Sequence, residues 1–325
     1  MRARTGRTAR QLTEENGGEG VAVDEEELLA LSDGPVTRGR LVRELGALGV
    51  REGDTLMFHT QLSALGYVPG GSRTVVDALR EAVGERGTLL VYSGWNDQPP
   101  WELAQWPQQW REAVLAEHPA YDPALSEGSH DNGRLPEALR LTPGALRTRH
   151  PDSFAALGAR AAELTASQPW DDPYGTEGVL GRLVAAGGRV LLLGAPLDAL
   201  TLLHHAEALA QAPGKRYLHY DVPVLDENGK RVWRGYEDVD TEEGGFDYTP
   251  FVPAEEWPFT VIARDALDHG TGLSGRVGAA PCHLFEAGEL VAFGVKWIER
   301  RFGRAPAPVP ASDDTSARTG APWRA

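Results

Sequence analysis

The stretch GRVLLLGAPLDALTLLHHAEALA, residues 188–210, joins a short apolar run to a run of strong helix formers. GRVLLLG (188–194) has the length and the glycine boundaries of a buried strand. TLLHHAEALA (201–210) predicts a helix directly after that strand. Ligands of α/β proteins bind outside the carboxyl ends of strands, where such a helix begins. We therefore expect this junction to lie at the functional site.

One turn of the predicted helix carries two adjacent histidines and a glutamate. Positions three apart share a helix face, so His204 and Glu207 can touch, whereas His205 points about 100° away from His204. A carboxylate beside an imidazole fixes the tautomer of the ring and stabilises the imidazolium that forms when the ring takes a proton. The spacing predicts a general base oriented by an acid, although a helix with one polar side has the same pattern. Asp198, expected at the end of the preceding strand, is a second acidic neighbour.

Strands and helices alternate on both sides of this junction. Apolar strands are predicted at 54–60, 87–93, 153–158 and 188–194. Helices are predicted from a Thr37 cap to Gly49, from Ser72 to Gly84, and around IARDALDHG (262–270). A last strand and helix are predicted within ELVAFGVKWIERRFG (289–303). This alternation indicates an α/β sandwich.

A β-hairpin is predicted in DVPVLDENGKRVWRGYED (221–238), with two alternating arms around the favoured tight-turn pair Asn228-Gly229. Because the arms of a hairpin are antiparallel, we expect the sheet to be mixed rather than all-parallel. The predicted fold class is therefore α/β, with a mixed sheet flanked by helices.

The predicted elements belong to a single domain over residues 33–303, without an internal repeat. Residues 1–23 are polar and residues 304–325 are rich in Pro and Ala, so both are expected to be disordered tails. No run of about 18 apolar residues predicts a transmembrane helix, and the N-terminal residues lack the apolar segment of a secretory signal. We expect a cytoplasmic protein.

The chain of 325 residues has a formal net charge of −15 and a sequence pI of about 5.1. An acidic surface repels polyanions, which argues against nucleic acid or an anionic membrane as a partner. The charge is compatible with a cationic ligand, although many soluble proteins are simply acidic. The single cysteine, Cys282, excludes an intramolecular disulfide and a Cys-rich metal site.

Motifs of several other enzyme classes are absent. The sequence has no Walker A motif and no H-E-x-x-H, and GYVPGG (66–71) lacks the G-x-G-x-x-G spacing. The adjacent His204 and His205 diverge on a helix, so they cannot bind one zinc ion together, and no metal is expected. Residues 300–305 match the loose R-x-x-G-x-A pattern of the common acetyltransferase fold. They run into a Pro-rich segment and cannot open the phosphate-binding helix which that pattern requires.

Ordered sequence blocks along the chain resemble the aminoglycoside 3-N-acetyltransferases. The blocks are FHTQLSALGYVPGG (58–71), GERGTLLVYSGW (84–95), RTRHPDSFAALG (147–158), GRVLLLGAPLDALTLLHHAEALAQAPGKR (188–216) and GRVGAAPCHLF (275–285). The resemblance covers about residues 33–302 and is strongest to the variants of antibiotic-producing actinomycetes. It implies a three-layer sandwich of the antibiotic N-acetyltransferase type, which differs from the common acetyltransferase fold.

The resemblance implies acetyl-CoA as donor, the 3-amino group of a 2-deoxystreptamine aminoglycoside as acceptor, and antibiotic resistance as the result. It assigns the catalytic base to His204 and the orienting acid to Glu207, whereas His205 falls at a variable position and is expected to pack. We expect direct transfer, with Cys282 in a structural role rather than as a nucleophile. The developing oxyanion needs donors, for which Thr201 and backbone amides near the strand end are candidates.

The resemblance also implies where acetyl-CoA binds. The loop 58–71 and the helix after it present backbone amides to the pantetheine and pyrophosphate groups. In RTRHPDS, Arg147 and Arg149 can pair with phosphate, and Ser153 and Phe154 can contact the pantetheine arm. The residues expected at the cofactor are His59, Ser63, Val68, Gly70, Gly71, Ser72, Arg147, His150, Ser153 and Phe154.

A polycationic acceptor needs an acidic pocket. Between Glu237 and Trp257 the chain carries eight acidic residues and neither lysine nor arginine. Carboxylates bind ammonium groups and a negative field speeds their capture, although a solvated acidic loop has the same composition. Trp95 and Tyr121 are expected to offer flat faces to sugar rings. The residues expected at the acceptor are Trp95, Asp97, Tyr121, Asp122, Glu127, Asp198, Asp240 and Glu243.

Other functions remain open at this point. The same fold can acetylate a non-aminoglycoside amine, or the protein can sequester a cationic drug without turnover, which the His204–Glu207 pair argues against. A metal-dependent hydrolase conflicts with the missing ligand spacing. The oligomeric state is left as monomer or homodimer.

Overall fold

The computed structural model describes residues 25–303, and the two predicted tails lie outside the described residues. The strands are β1 (Thr55–Thr60), β2 (Thr88–Tyr92), β3 (Leu146–Arg147), β4 (Phe154–Gly158), β5 (Arg189–Leu193), β6 (Tyr217–Leu225), β7 (Arg231–Val239), β8 (Leu273–Val277) and β9 (Ala280–Glu286). The helices are α1 (Glu25–Leu31), α2 (Arg38–Leu48), α3 (Gly71–Val83), α4 (Gln108–Glu117), α5 (Arg134–Arg140), α6 (Ala161–Leu164), α7 (Val179–Ala185), α8 (Leu202–Leu209), α9 (Pro258–Asp268) and α10 (Ala287–Phe302). Short 3₁₀ turns occupy Leu62–Leu65, Trp101–Gln105, His130–Asn132 and Leu197–Ala199.

The central sheet has seven strands in the order β3-β4-β2-β1-β5-β9-β8. β1 is parallel to both neighbours, with Leu56 opposite Leu89 on one side and Arg189 on the other. The remaining pairs are antiparallel, so the predicted mixed sheet is confirmed. Because β1, β2 and β5 run in the same direction, the segments that follow them leave the sheet at one edge, and α8 begins there.

Alternate side chains of the central strands face two apolar cores. On β5, Val190 and Leu192 belong to the core beneath α8 and α10, whereas Leu191 and Leu193 belong to the core beneath α2 and α3. All four side chains are fully buried. Helices therefore cover both faces of the sheet, which is the three-layer sandwich that the resemblance implies.

The predicted start is confirmed for one of the first two helices and wrong for the other. Thr37 caps α2 as expected, since its side chain accepts a hydrogen bond from the Arg40 amide, and the left-handed Gly49 ends that helix. The prediction that Ser72 opens α3 is wrong. The helix begins at Gly71, and the residue before it, Gly70, has a φ of +81°. Glycine adopts this conformation without strain, which explains why a glycine rather than a serine stands at the start of the helix.

The prediction of a last strand within residues 289–303 is also wrong, because α10 covers Ala287–Phe302. Its buried residues include Leu290, Val291, Trp297 and Ile298, whose spacing of three and four places them on one helical face. The last strands lie earlier, in β8 and β9, where the sequence was not assigned an element.

The predicted hairpin forms from β6 and β7, but it is a separate two-stranded sheet. The turn falls at Asn228-Gly229 as predicted, but it is longer than a two-residue tight turn. The loop spans residues 226–230, the Gly229 amide donates to the Asp226 carbonyl at 3.0 Å, and only Gly229 of the pair has a positive φ, +73°. The Asp226 carboxylate accepts from the Asn228 and Lys230 amides, so it stabilises this longer loop.

Within residues 25–303, no helix is long and apolar enough to cross a membrane.

Candidate functional site

The segment between β5 and α8 places the histidine turn at the edge of the sheet. β5 ends at Leu193, Gly194 turns the chain at φ +72°, and α8 begins at Leu202. Asp198 therefore does not end the strand but lies on the 3₁₀ turn Leu197–Ala199. Leu202 and Ala206 of α8 pack into the core, so the adjacent faces of this helix point towards the neighbouring loops.

His204 and Glu207 are in contact, as their spacing predicts. The Nδ1 atom of His204 lies 2.9 Å from Oε2 of Glu207. An ionised carboxylate has only acceptor sites, so a hydrogen bond here requires the proton on Nδ1 and leaves a lone pair on Nε2 of the neutral ring. The side chain of Glu207 is fully buried, whereas that of His204 is 18% exposed. The imidazole thus joins a buried acid to an accessible surface.

Two further groups hold the Glu207 carboxylate, and both come from the segment between β7 and α9. Oε1 accepts a hydrogen bond from the Gly245 amide at 2.9 Å and another from the Tyr248 hydroxyl at 2.7 Å. These donors compensate for part of the hydration that the carboxylate loses on burial.

His204 opens onto a cleft of about 250 Å³. Aromatic rings flank the imidazole, with Tyr174 at 5.4 Å and Phe259 at 4.7 Å between ring centroids. Trp257 also lines the cleft and is 61% exposed. The polar lining includes Asp198 and Glu243, so two of the acids predicted at the acceptor share a cleft with His204.

His205 faces the interior. It is 2% exposed, and its Nδ1 lies 2.6 Å from the carbonyl oxygen of Tyr174. Thr201 precedes α8 without a capping hydrogen bond from its side chain. The backbone amides of Thr201, Leu203 and His204 all donate within this turn, which removes them as free donors for an oxyanion.

Additional acids lie near the His204–Glu207 pair. Burial and the nearby Asp240 raise the pKa of Glu242, which also interacts electrostatically with His204. Burial, then the charge of Asp152, raises the pKa of Asp238 to about 9. Asp238 and Glu242 belong to the acidic run of the sequence, but neither was singled out there. Asp152 lies outside that acidic run, and no sequence pattern indicated it, because its position near β7 depends on the tertiary fold.

The two aromatic residues predicted to bind sugar rings are part of the core. Trp95 is 5% and Tyr121 is 1% exposed, their rings lie 5.5 Å apart, and the Tyr121 hydroxyl donates to the Thr148 carbonyl. The expectation of open ring faces at these positions is therefore wrong. Trp257, which the sequence did not single out, is the exposed aromatic residue in the cleft.

Four other predicted acceptor acids make local contacts. Asp122 accepts hydrogen bonds from the Ala124 and Leu125 amides, and Asp240 accepts from those of Glu242 and Glu243. Each carboxylate stabilises a turn of its own loop. The contacts of the remaining two are equally local, because Glu127 lies 3.1 Å from His130 and Asp97 accepts from Asn96.

The predicted cofactor loop joins β1 to α3 at the same edge of the sheet. Ser63 lies on the 3₁₀ turn after β1, Val68 is buried, and Gly70 and Gly71 both have positive φ before Ser72 continues α3. Burial lowers the pKa of His59 to about 4, so its ring is neutral. His59 Nε2, Thr60 Oγ1 and, after β2, Ser93 Oγ are buried without a hydrogen-bond partner in the described structure.

The predicted cofactor residues of the third block make internal contacts. Arg147 donates to Ser153 Oγ at 2.9 Å and to the carbonyls of Gly94 and Ser126. Contact with phosphate would require these bonds to break. Ser153 donates in turn to Gly94, and Phe154 is fully buried.

His150 is held in the same way. Its Nδ1 accepts from the Asp152 amide at 3.1 Å, and its Nε2 lies 3.3 Å from the Trp170 carbonyl. Burial lowers the pKa of the ring. Arg149, by contrast, is exposed.

Cys282 lies on β9, fully buried in the core beneath α2 and α3. Burial raises the pKa of its thiol to about 11, so the thiolate needed for nucleophilic attack is scarce near neutral pH. Among the described residues, no group of three or more His, Cys, Asp or Glu side chains is arranged to hold a metal ion.

Comparison with known proteins identifies the class. The family described as aminoglycoside 3-N-acetyltransferase matches residues 57–299. Aminoglycoside N(3)-acetyltransferase VII of Streptomyces paromomycinus is 62% identical over 287 residues, which cover 88% of this chain and 99% of that protein. These matches define an acyltransferase. The chain belongs to the aminoglycoside 3-N-acetyltransferase family, and its resemblance to actinomycete members is confirmed.

Solved structures agree with this assignment. The crystal structure of aminoglycoside acetyltransferase AAC(3)-Xa is 59% identical, with a TM-score of 0.85 over 86% of this chain and 98% of that one. AAC-IIIb, solved as a binary complex with CoASH, is 44% identical, with a TM-score of 0.75 over 84% of this chain and 100% of that one. The predicted fold type is therefore confirmed.

Proposed function

We propose that this protein transfers the acetyl group of acetyl-CoA to the 3-amino group of 2-deoxystreptamine aminoglycosides, with His204 as general base and Glu207 as its orienting acid. The observation that carries the proposal is the 2.9 Å contact between His204 and the buried Glu207, beside an acidic cleft. The name of the Streptomyces relative supports the acceptor class, and the CoASH complex of AAC-IIIb supports the donor.

His204 removes a proton from the acceptor amine. An amine at neutral pH is mostly an ammonium ion without a lone pair, so it must lose a proton to become a nucleophile. Nε2 of His204 accepts that proton, and Glu207 stabilises the imidazolium through Nδ1. The freed lone pair attacks the thioester carbonyl, and the C–S bond then breaks to release CoA as a thiolate. The thiolate takes up the second proton that the nitrogen loses, and CoA leaves as the thiol. Acetyl-CoA, when bound, supplies an acetyl group activated as a thioester. Cys282 takes no part, because it is buried in the opposite core.

The residues at the edge of the sheet fit a pantetheine arm. His59 Nε2, Thr60 Oγ1 and Ser93 Oγ are buried polar atoms without partners, and buried polar groups need hydrogen bonds. The arm contains two amides that donate and accept such bonds. The loop with Ser63, Val68, Gly70 and Gly71 and the first turn of α3 with Ser72 follow β1 directly, and we assign them to the same ligand.

Charge in the cleft favours a cationic acceptor. Asp198 and Glu243 line it, and Glu242 lies close enough to His204 for an electrostatic interaction. Such a field raises the local concentration of a polycation and its association rate. Thr201 directly precedes α8, the helix that carries the base, and its hydroxyl is our candidate donor to the developing oxyanion.

A thiol-release assay with acetyl-CoA tests the function. We expect turnover with gentamicin-like and neomycin-like acceptors that carry a free 3-amine, and none with analogues acetylated at that amine. Mass spectrometry of the product locates the new acetyl group. Turnover only with other amines would favour the broader N-acetyltransferase, and tight binding without turnover would favour a sequestering protein.

Trp257 is expected to support the acceptor through its exposed ring, because an indole face packs well against the C–H face of a sugar. Replacing Trp257 with alanine should raise the KM for the aminoglycoside about tenfold, which corresponds to about 1.4 kcal/mol, and change kcat little. Trp110 is a matched control, since it is 59% exposed on α4 against 61% for Trp257. Equal KM values for the two variants would remove Trp257 from the acceptor site.

A further inference from the structure

Tyr248 is held rigidly behind the candidate base. It is 4% exposed, and its ring lies 6.3 Å from Phe246, 6.2 Å from Trp297 and 5.5 Å from Phe302 between centroids. These rings fix the direction of the hydroxyl, which donates to Oε1 of Glu207 at 2.7 Å. The bond joins positions 41 residues apart in the sequence.

The two oxygens of the Glu207 carboxylate serve different partners. Oε2 contacts His204, whereas Oε1 accepts from Tyr248 and from the Gly245 amide. Hydrogen bonds to Oε1 draw negative charge towards that oxygen and away from Oε2. Oε2 then stabilises a protonated His204 less, so the proton affinity of the imidazole falls. The strength of the base therefore depends on a residue that does not contact the imidazole.

We infer that Tyr248 is a positioning residue that sets the proton affinity of the His204–Glu207 pair and holds the carboxylate in register with Nδ1. This inference rests on the proposed function. Nothing in the sequence singled out Tyr248. It lines the cleft together with Glu207, but its hydroxyl is bonded to Oε1 of Glu207, so it acts through that carboxylate.

The hydroxyl acts only as a donor. Burial, followed by the charge of Glu207, raises the pKa of Tyr248 well above its usual value, so the phenol stays protonated over the working pH range. Tyr248 therefore remains a hydrogen-bond donor to Oε1 of Glu207 throughout that range.

Other charged groups face the pair and remain in place when Tyr248 changes. Lys215 and Asp238 interact electrostatically with Glu207, Arg216 with Tyr248, and Glu242 with His204. Asp198 and Glu243 line the same cleft as His204. Because these six groups are common to the wild type and the variants below, a difference in pH dependence reports the Tyr248 hydroxyl.

Tyr248→Phe is expected to move the acid limb of kcat/KM to higher pH by about one unit. The variant loses a hydrogen-bond donor to Glu207. This loss destabilises the state with a neutral His204 most, because no imidazolium then balances the charge of the carboxylate. Proton uptake by the pair therefore becomes easier. Below the limb kcat/KM falls about tenfold, whereas the alkaline plateau changes less.

The experiment compares pH profiles of the wild type, Tyr248→Phe and Tyr121→Phe. Tyr121 is the matched control, because it is a buried tyrosine whose hydroxyl donates to a carbonyl in the separate aromatic core. We expect the control to keep the wild-type limb. A Tyr248→Phe profile that overlays the wild type would overturn the inference while leaving the proposed function intact, whereas an inactive wild type would overturn the proposed function.

A double-mutant cycle separates positioning from a general loss of stability. With Glu207→Gln already present, Tyr248→Phe should cause no further fall in kcat, because the carboxylate on which it acts is gone. Additive losses would indicate a structural role and contradict the inference. Site-specific 3-fluorotyrosine at position 248, a stronger donor of nearly the same size, should shift the limb to lower pH, and it keeps the test valid if Tyr248→Phe does not fold.

Discussion

Replacing His204 with alanine should abolish turnover while leaving acetyl-CoA binding intact. The imidazole is the basic group that opens onto the cleft and is backed by a buried carboxylate. Loss of a general base typically lowers the rate by about 10²–10⁴-fold. The variant also removes a hydrogen-bond partner from the buried Glu207 carboxylate, so thermal denaturation must accompany the kinetics. Steady-state thiol release gives kcat, and calorimetric titration with CoA gives Kd.

His269→Ala is the control for this variant, because His269 follows α9 outside the lining of the cleft, where its ring contacts the Asp265 carbonyl and the Phe293 ring. It should retain wild-type turnover. Full activity of His204→Ala at neutral pH would refute the base assignment. Loss of CoA binding together with turnover would show instead that His204 supports the donor site.

Glu207→Gln should lower kcat by about 10²-fold or more with little change in fold. The buried amide is the same size as the carboxylate, and its oxygen can still accept from the Gly245 amide and the Tyr248 hydroxyl. Its NH₂ group then faces His204 Nδ1, which must become an acceptor. The ring proton moves to Nε2, so the nitrogen facing the cleft has no lone pair for the amine proton.

Thermal denaturation and steady-state kinetics test this variant side by side. Glu163→Gln is the control, since Glu163 makes a surface ion pair with Arg160 and lies outside the cleft. Wild-type kcat in Glu207→Gln, at unchanged stability, would show that the acid does not orient the base. A folded but slow enzyme with normal KM for both substrates supports the tautomer argument.

Local patterns predicted most elements correctly. The Thr37 cap, the left-handed Gly49 and the periodic leucines placed α2, because capping and periodicity act within a few residues. The strand predicted in 289–303 failed because an apolar helix face and a short apolar strand have similar local composition. Packing of Trp297 and Ile298 against the core decided between them.

The mixed character of the sheet was predicted for the wrong reason. The hairpin that suggested it forms its own two-stranded sheet. The antiparallel members of the central sheet are β3, β4, β8 and β9. β8 and β9 form a hairpin across residues 278–279, and a short loop joins β3 to β4. The pairs that attach them to the parallel strands, β4 with β2 and β9 with β5, join segments far apart in the sequence. A sequence window does not contain that pairing.

The predicted substrate-binding and cofactor-binding residues also depend on contacts that local sequence does not contain. Burial at Trp95 and Tyr121, and the internal hydrogen bonds of Arg147, follow from loops packed against one another across many residues. An aromatic or basic residue after a strand has the same local pattern whether it is exposed or enclosed. Trp257, in an acidic and proline-containing segment, faces the cleft instead.

The sequence by itself determined the contact between His204 and Glu207, because three residues along a helix is a distance that backbone geometry sets without help from the rest of the chain. Only the tertiary structure decided what surrounds that pair. Tyr248 and Gly245 reach Glu207 from about 40 residues away, since the segment after β7 folds back over α8. Local hydrogen bonding specifies a helical pair, whereas burial of a charge depends on every element that excludes water from it.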